Sequence, residues 1–310
     1  MRKHFLVCAF TGICLLGVPT LLWGKFQDTK NTAKNHTQEP PPLERTHTLT
    51  GNIQSHPDFP SRFLHKQHTV LVYLPPDYDA PGNAQRRYPT LYLHDGQNVF
   101  DGATSFIPGK EWQVDETAER LIRAGEIEPL IIVAIYNGGT ARAYEYTPTR
   151  DDKFNGGMGG GANQYGRMLI EELKPFIDQT YRTRPDAAST GLGGSSFGGL
   201  VTLHLGLRHP DIFQRLAVVS PSVWWDRRYL LRAVAGLEKK PPVRLWLDMG
   251  TREGATALND AQALRDALLE KGWMPGVDFH YMEAEGAVHD EAAWAARIEP
   301  ILKYLYPPVK

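Results

Sequence analysis

Cysteine is almost missing from this chain. There are two in 310 residues, Cys8 and Cys14, and both fall within the first 24 positions. The remainder has no thiol, which excludes disulfides, thiolate metal sites and a cysteine nucleophile from the folded body. A charge excess of either sign is missing too: 34 Lys and Arg stand against 35 Asp and Glu, for a net charge of −1. With no long basic run, the chain has no electrostatic footprint for a nucleic-acid partner. No internal repeat is present, so repeat architectures are excluded.

The amino terminus reads as a targeting segment. Met1-Arg2-Lys3-His4 is basic, and residues 5–23 are mostly apolar, broken by Gly12, Gly17 and Pro19. Gly24 offers a small residue for cleavage, so residues 1–24 read as a secretory signal peptide. Its length leaves an uncleaved anchor as the alternative, and only through that segment would the protein meet a membrane. Ile13 before Cys14 argues against lipoprotein-type cleavage. Residues 25–49 are polar and contain Pro40-Pro41-Pro42, the composition of a flexible linker. The domain is expected over 50–310. Export without disulfides suggests a bacterial periplasmic or secreted protein.

Within the domain, strand and helix patterns alternate. Strands are expected at 69–74, 90–94, 130–136, 187–192, 216–220, 243–249 and 277–282. Helices are expected at 114–123, 163–178, 197–208, 228–235, 256–271 and 291–304. The run at 130–136 is nearly all apolar, as in a central parallel strand covered on both faces. The alternation predicts an α/β fold, a mostly parallel sheet with helices on both faces.

The stretch at 191–199 carries the chemistry. Gly194-x-Ser196-x-Gly198 is the nucleophile-elbow pattern, in which a serine sits on a sharp turn from strand into helix. The turn needs a strained serine backbone and neighbours without Cβ, hence the flanking glycines. Alone the pattern is weak. Here an apolar strand precedes it and an apolar helix follows, as the motif requires.

A serine nucleophile needs a base and a carboxylate to orient that base. After Ser196, two loops at strand ends supply candidates. Glu253 lies in Gly250-Thr251-Arg252-Glu253-Gly254, and His289 lies in the loop before the last helix. Asp248 competes with Glu253 but sits late in a strand, where the pleat fixes its direction, so Glu253 is favoured. The order serine, acid, histidine is that of the α/β-hydrolase arrangement. The oxyanion hole is expected to combine the N–H of Phe197 with that of Gln97, in the loop after residues 90–94.

Tyr73-Leu74-Pro75-Pro76-Asp77-Tyr78, the run from Leu93 to Asp101, Glu145-Tyr146-Thr147-Pro148 and Gly194-Ser195-Ser196-Phe197-Gly198-Gly199 together resemble the "putative esterase" family of α/β hydrolases. That group includes enterochelin-esterase-like siderophore hydrolases, feruloyl and acetyl-xylan esterases, and relatives of the antigen 85 mycolyltransferases. The resemblance runs over about residues 50–306. It implies the α/β-hydrolase fold, with Ser196 as nucleophile, His289 as base and Glu253 as acid.

The long segment at 137–161 reads as a wall of the site, with Arg142 and Arg150 available for a carboxylate or phenolate and Tyr146 beside them. Trp224 and Trp225 are candidates for stacking a sugar or aromatic acyl group, one of them in the core. These readings predict an exported serine esterase acting on a small-molecule or carbohydrate-linked ester through an acyl-enzyme, with no cofactor and no metal. An acyltransferase on the same fold, or a non-catalytic carbohydrate-binding module, are the rival readings. Oligomeric state has no signature in the sequence.

Overall fold

The computed structural model describes residues 45–309. The expected signal or anchor, and all but the last five residues of the expected linker, lie outside this range. Those five are held against the body: Arg45 Nη1 donates to Ala103 O at 3.1 Å, and His47 Nδ1 lies 2.7 Å from Asp101 Oδ2.

Eight strands form one sheet: β1 Asn52–Phe59, β2 His68–Leu74, β3 Thr90–His94, β4 Ile131–Ile135, β5 Thr190–Ser196, β6 Arg215–Pro221, β7 Arg244–Gly250 and β8 Phe279–Ala284. Their order across the sheet is β1-β2-β4-β3-β5-β6-β7-β8. β2 runs antiparallel to both its neighbours, and every pairing from β4 to β8 is parallel. The carboxyl ends of β3, β5, β7 and β8 therefore open onto one edge, where open α/β sheets place their ligands.

Alternation of side chains across the pleat creates two cores. Val72, Val133, Leu192, Val218 and Leu247 face one side. There they meet the helices Phe197–Arg208, Trp225–Ala235 and Ala255–Glu270, with the helical stretch through Tyr165, Leu169 and Ile177. Tyr73, Ile132, Ala134, Val219 and Trp246 face the other, against the helices Val114–Arg123 and Glu291–Leu305. The all-apolar Ile-Ile-Val-Ala-Ile of β4 is buried throughout because both of its faces are covered.

Two elements differ most from expectation. β1 is an edge strand rich in polar residues; Pro57 lies at a register shift in it, and Asp58 there takes φ 53°. Its signal is weak because an edge strand buries little. β5 begins and ends later than expected, running through the glycines after a short turn at Ala187–Ser189. A Cβ on Gly193 would lie 2.9 Å from both Ala217 Cβ and Leu93 Cδ2. Here glycine marks close strand packing, not the end of a strand.

Candidate active site

Ser196 ends β5 and precedes the helix Phe197–Arg208 with φ 59° and ψ −121°, a strained conformation for a residue with a Cβ. Such backbones cost on the order of 1–3 kcal/mol and persist only where the surroundings impose them. Here Ser222 N donates to Ser196 O at 3.0 Å, tying the turn to the end of β6. A Cβ on Gly194 would sit 3.0 Å from both Gly198 C and His94 Cβ, and one on Gly199 would sit 2.9 Å from Val219 O. The glycines let the helix start this close to β3 and β6. The Ser196 side chain lies in a cavity of about 280 Å³ lined by Gln97, Phe106, Arg142, His289, Glu291 and Trp294 among others.

His289 stands in the loop after β8, and its Nδ1 lies 2.6 Å from Glu253 Oε2. Its ring meets Trp294 edge-on, with centroids 4.9 Å apart. The Glu253 carboxylate is almost fully covered, at 1% side-chain exposure against 44% for His289. Its other oxygen accepts from Ser220 Oγ at 2.6 Å and Gly250 N at 2.9 Å. Burial pushes the Glu253 carboxyl up, but the bonds from His289 and Ser220 outweigh it and hold the group below the ordinary glutamate range.

Asp248, the rival acid, does not reach the histidine. It accepts from Trp246 Nε1 at 2.7 Å and Ser220 N at 3.1 Å, and it pairs with Arg297 Nη1 at 3.0 Å. Burial pushes its carboxyl up to about 6, against the pull of Arg297. Ser220 joins the two acids. Its hydroxyl donates to Glu253 and accepts from Trp294 Nε1 and Arg297 Nη2, each at 3.1 Å. Neither Ser220 nor Arg297 had a sequence signal, since a lone serine at a strand end and an arginine in an amphipathic helix are ordinary.

Gln97 and Phe197 flank the serine from two elements. Phe197 is the first residue of its helix, so its N–H has no intrahelical partner. Gln97 sits in the single turn Gly96–Asn98, entered through Asp95 in the left-handed region, and lines the cavity. A Cβ on Gly96 would lie 2.5 Å from Ala134 C and Ile135 N, so this loop can rest on β4 only with glycine there.

Of the five residues expected around the substrate, three are tied into the scaffold, Trp225 being the member of the tryptophan pair that lies in the core. Arg142 borders the cavity, but its Nε and Nη2 donate to Asp95 at 2.6 and 2.7 Å. Asn137 Nδ2 adds a third bond to Asp95 at 2.6 Å. Burial raises Asp95, and Arg142 and Asn137 more than reverse it, so the carboxyl stays below the usual aspartate range. Arg142 therefore fastens the Gln97 loop. Tyr146 is fully buried beneath that loop, its hydroxyl accepting from Asp95 N at 3.2 Å, and cannot touch a substrate. Trp225 is also fully buried, donating through Nε1 to Thr149 O at 3.1 Å. Trp224 is the exposed member of the pair, 43% accessible, in a groove with Arg150, Lys153 and Phe154. Its ring centroid lies 5.9 Å from that of Phe197, so it flanks the elbow without lining the cavity of Ser196. Arg150 pairs with Asp152 at 2.9 Å and lies in that same groove.

The cavity also holds residues to which the sequence assigned no role. Asn98 Nδ2 donates to Glu291 Oε1 at 3.1 Å, and Asn98 Oδ1 accepts from Phe106 N at 2.9 Å. Burial holds the Glu291 carboxyl above the ordinary glutamate range. Asn98 thus ties the Gln97 loop, the Phe106 segment and the last helix into one rim.

An eight-stranded, mostly parallel sheet with a serine elbow after β5 and a histidine loop after β8 defines an α/β hydrolase. Residues 61–305 match the sequence profile of the family described as "putative esterase", and the chain belongs to that family. It is an enzyme of the carboxylic-ester hydrolase class. The chain is 27% identical over 259 residues to an endo-1,4-beta-xylanase/feruloyl esterase of Xylanibacter ruminicola, covering 83% of this chain and 31% of that protein. It is 29% identical over 184 residues to a ferri-bacillibactin esterase of Bacillus subtilis, covering 54% and 60%. It spans less than two thirds of either relative. The crystal structure of the BES protein from Bacillus cereus shares the fold, with a TM-score of 0.65 at 23% identity, covering 85% of this chain and 98% of that one.

Proposed function

We propose that this esterase works through Ser196, His289 and Glu253. The observation that carries the reading is the 2.6 Å contact from His289 Nδ1 to the buried Glu253 carboxylate, with Ser196 in the cavity that His289 lines. The carboxylate holds the ring proton on Nδ1 and leaves Nε2 as the base. Ser196 Oγ, now 3.4 Å from Ser222 Oγ, swings to His289 as substrate binds. His289 takes the hydroxyl proton as Oγ attacks the ester carbonyl, and the N–H groups of Phe197 and Gln97 hold the oxyanion. The imidazolium then protonates the departing alcohol. Water, deprotonated by the same ring, attacks the acyl-enzyme and releases the acid and Ser196.

The substrate class we infer is an ester with an aromatic or hydroxylated acyl group. Phe106, Ile107 and Trp294 give the cavity apolar wall, and Asn137 and Glu291 give it polar anchors. The names of the relatives, a feruloyl esterase and a ferri-bacillibactin esterase, support the same class. Periplasmic or secreted location belongs to this proposal, from the sequence of residues 1–24. Among the described residues no helix is long and apolar enough to cross a membrane.

The test is hydrolysis of p-nitrophenyl acetate. Ser196→Ala is expected to lower kcat by at least about 10⁴-fold, to the residual level left by binding and the oxyanion hole. Full activity in a folded Ser196→Ala variant would overturn the assignment.

A further inference from the structure

A second cluster of carboxylates lies outside the lining of the Ser196 cavity. Glu111, Asp115 and Glu116 each present one oxygen such that all three lie within 4.8 Å of one another. Asp115 has no exposed surface and Glu111 only 5%. One oxygen of each residue (Glu111 Oε2, Asp115 Oδ1 and Glu116 Oε2) is buried without a hydrogen-bond partner. The opposite oxygens of the first two are satisfied, Glu111 Oε1 by the Thr48 hydroxyl and Asp115 Oδ2 by Thr50 N at 2.7 Å. Among the described residues no Lys, Arg or His pairs with any of the three.

Buried carboxylates in contact cannot all stay ionised without a positive charge, and no donor supplies it here. A single shared proton bridges two of the bare oxygens and leaves the third unpaired. A cation satisfies all three. Oxygens around a hard divalent ion at about 2.3–2.6 Å are separated by up to roughly twice that distance, which matches this cluster.

We propose that Glu111, Asp115 and Glu116 bind a divalent cation of the calcium or magnesium class, with its remaining positions filled by water or backbone oxygen. The ion neutralises the cluster and fastens residues 48–50 to the start of the helix Val114–Arg123. Trp112, beside Glu111, packs 5.7 Å from Trp294, whose ring abuts His289. The ion therefore steadies the scaffold behind the histidine and takes no part in the ester chemistry.

The test uses the whole protein, stripped with chelator and dialysed. Calcium or magnesium at about tenfold its Kd is expected to raise Tm by roughly 3–5 °C. Terbium is expected to bind and luminesce on tryptophan excitation, since Trp112 adjoins the site, and calcium is expected to quench that signal by displacement. Asp115→Asn with Glu111→Gln is expected to abolish both responses while p-nitrophenyl acetate hydrolysis stays within about twofold. The wild-type measurements decide the matter even if the variant does not fold. A Tm indifferent to either cation at millimolar concentration, with no sensitised terbium emission, would overturn the proposal. So would stability that rises on acidification with no dependence on cation, the mark of shared protons.

Discussion

Two buried carboxylates flank the cavity, and they differ in the partner each has been given. Asp95 faces the Arg142 guanidinium, and Glu253 faces the His289 imidazole. Both are desolvated, and both are held below their ordinary pKa by what surrounds them. Arginine never releases its proton in a protein, so the first pair is permanent and can only hold a loop in place. Histidine keeps a second ring nitrogen that can take up a proton, so the second pair can orient a base and stabilise it once charged. The same carboxylate physics gives a fastening in one place and, in the mechanism proposed above, a partner that orients the base in the other.

Replacing Glu253 should break the comparison most severely. In Glu253→Gln an amide N–H faces His289 Nδ1, which favours the opposite ring tautomer and turns an N–H toward Ser196. A fall in kcat of about 10²–10⁴-fold is expected with little change in Tm. Steady-state rates and thermal unfolding of the same preparation check this. Arg142→Met should show the reverse balance. It leaves Asp95 buried and unpaired, at a cost near the lower end of about 3–5 kcal/mol because Arg142 is partly exposed. The loss of kcat should be nearer tenfold, through a loosened Gln97 loop. Equal effects of the two substitutions on both quantities would dissolve the distinction.

Acid should sharpen it. Asp95 and Glu253 both have folded-state pKa values below their unfolded values of about 3.9 and 4.3. Their contributions are fully present above those values and are lost as pH falls through the lower, folded-state values. Wild-type urea midpoints should therefore drop below about pH 4. In Arg142→Met the Asp95 share of that drop should vanish or change sign, because an unpaired buried aspartate is relieved by protonation. The smallest effect is expected at Trp224. Trp224→Ala should raise KM for a bulky aromatic ester by roughly two- to tenfold and leave p-nitrophenyl acetate nearly unchanged. An unchanged KM for the bulky ester would remove Trp224 from the substrate's path.

The same contrast explains what could be read from the chain beforehand. The elbow was legible because its strain demands glycines at fixed offsets, and strands β2, β3, β4, β6 and β7 because burial on both faces leaves apolar runs. That His289 and Glu253 would meet could be read because their order along the chain follows from the order of the sheet. The wall of the site was not legible. Arg142, Tyr146 and Trp225 have the side chains of a binding surface, but a side chain's direction is set by packing, and all three serve the scaffold. The roles of Ser220, Arg297, Asn98 and Glu291 were invisible for the complementary reason. Each is an ordinary residue type whose role comes only from what the fold sets beside it.

The most direct measurement is the site of covalent labelling by a fluorophosphonate, mapped by mass spectrometry of peptides. One adduct is expected, on Ser196, slowed by at least about 10²-fold in Glu253→Gln, where the base is mis-set. Labelling at another residue, or none in active wild-type enzyme, would contradict it.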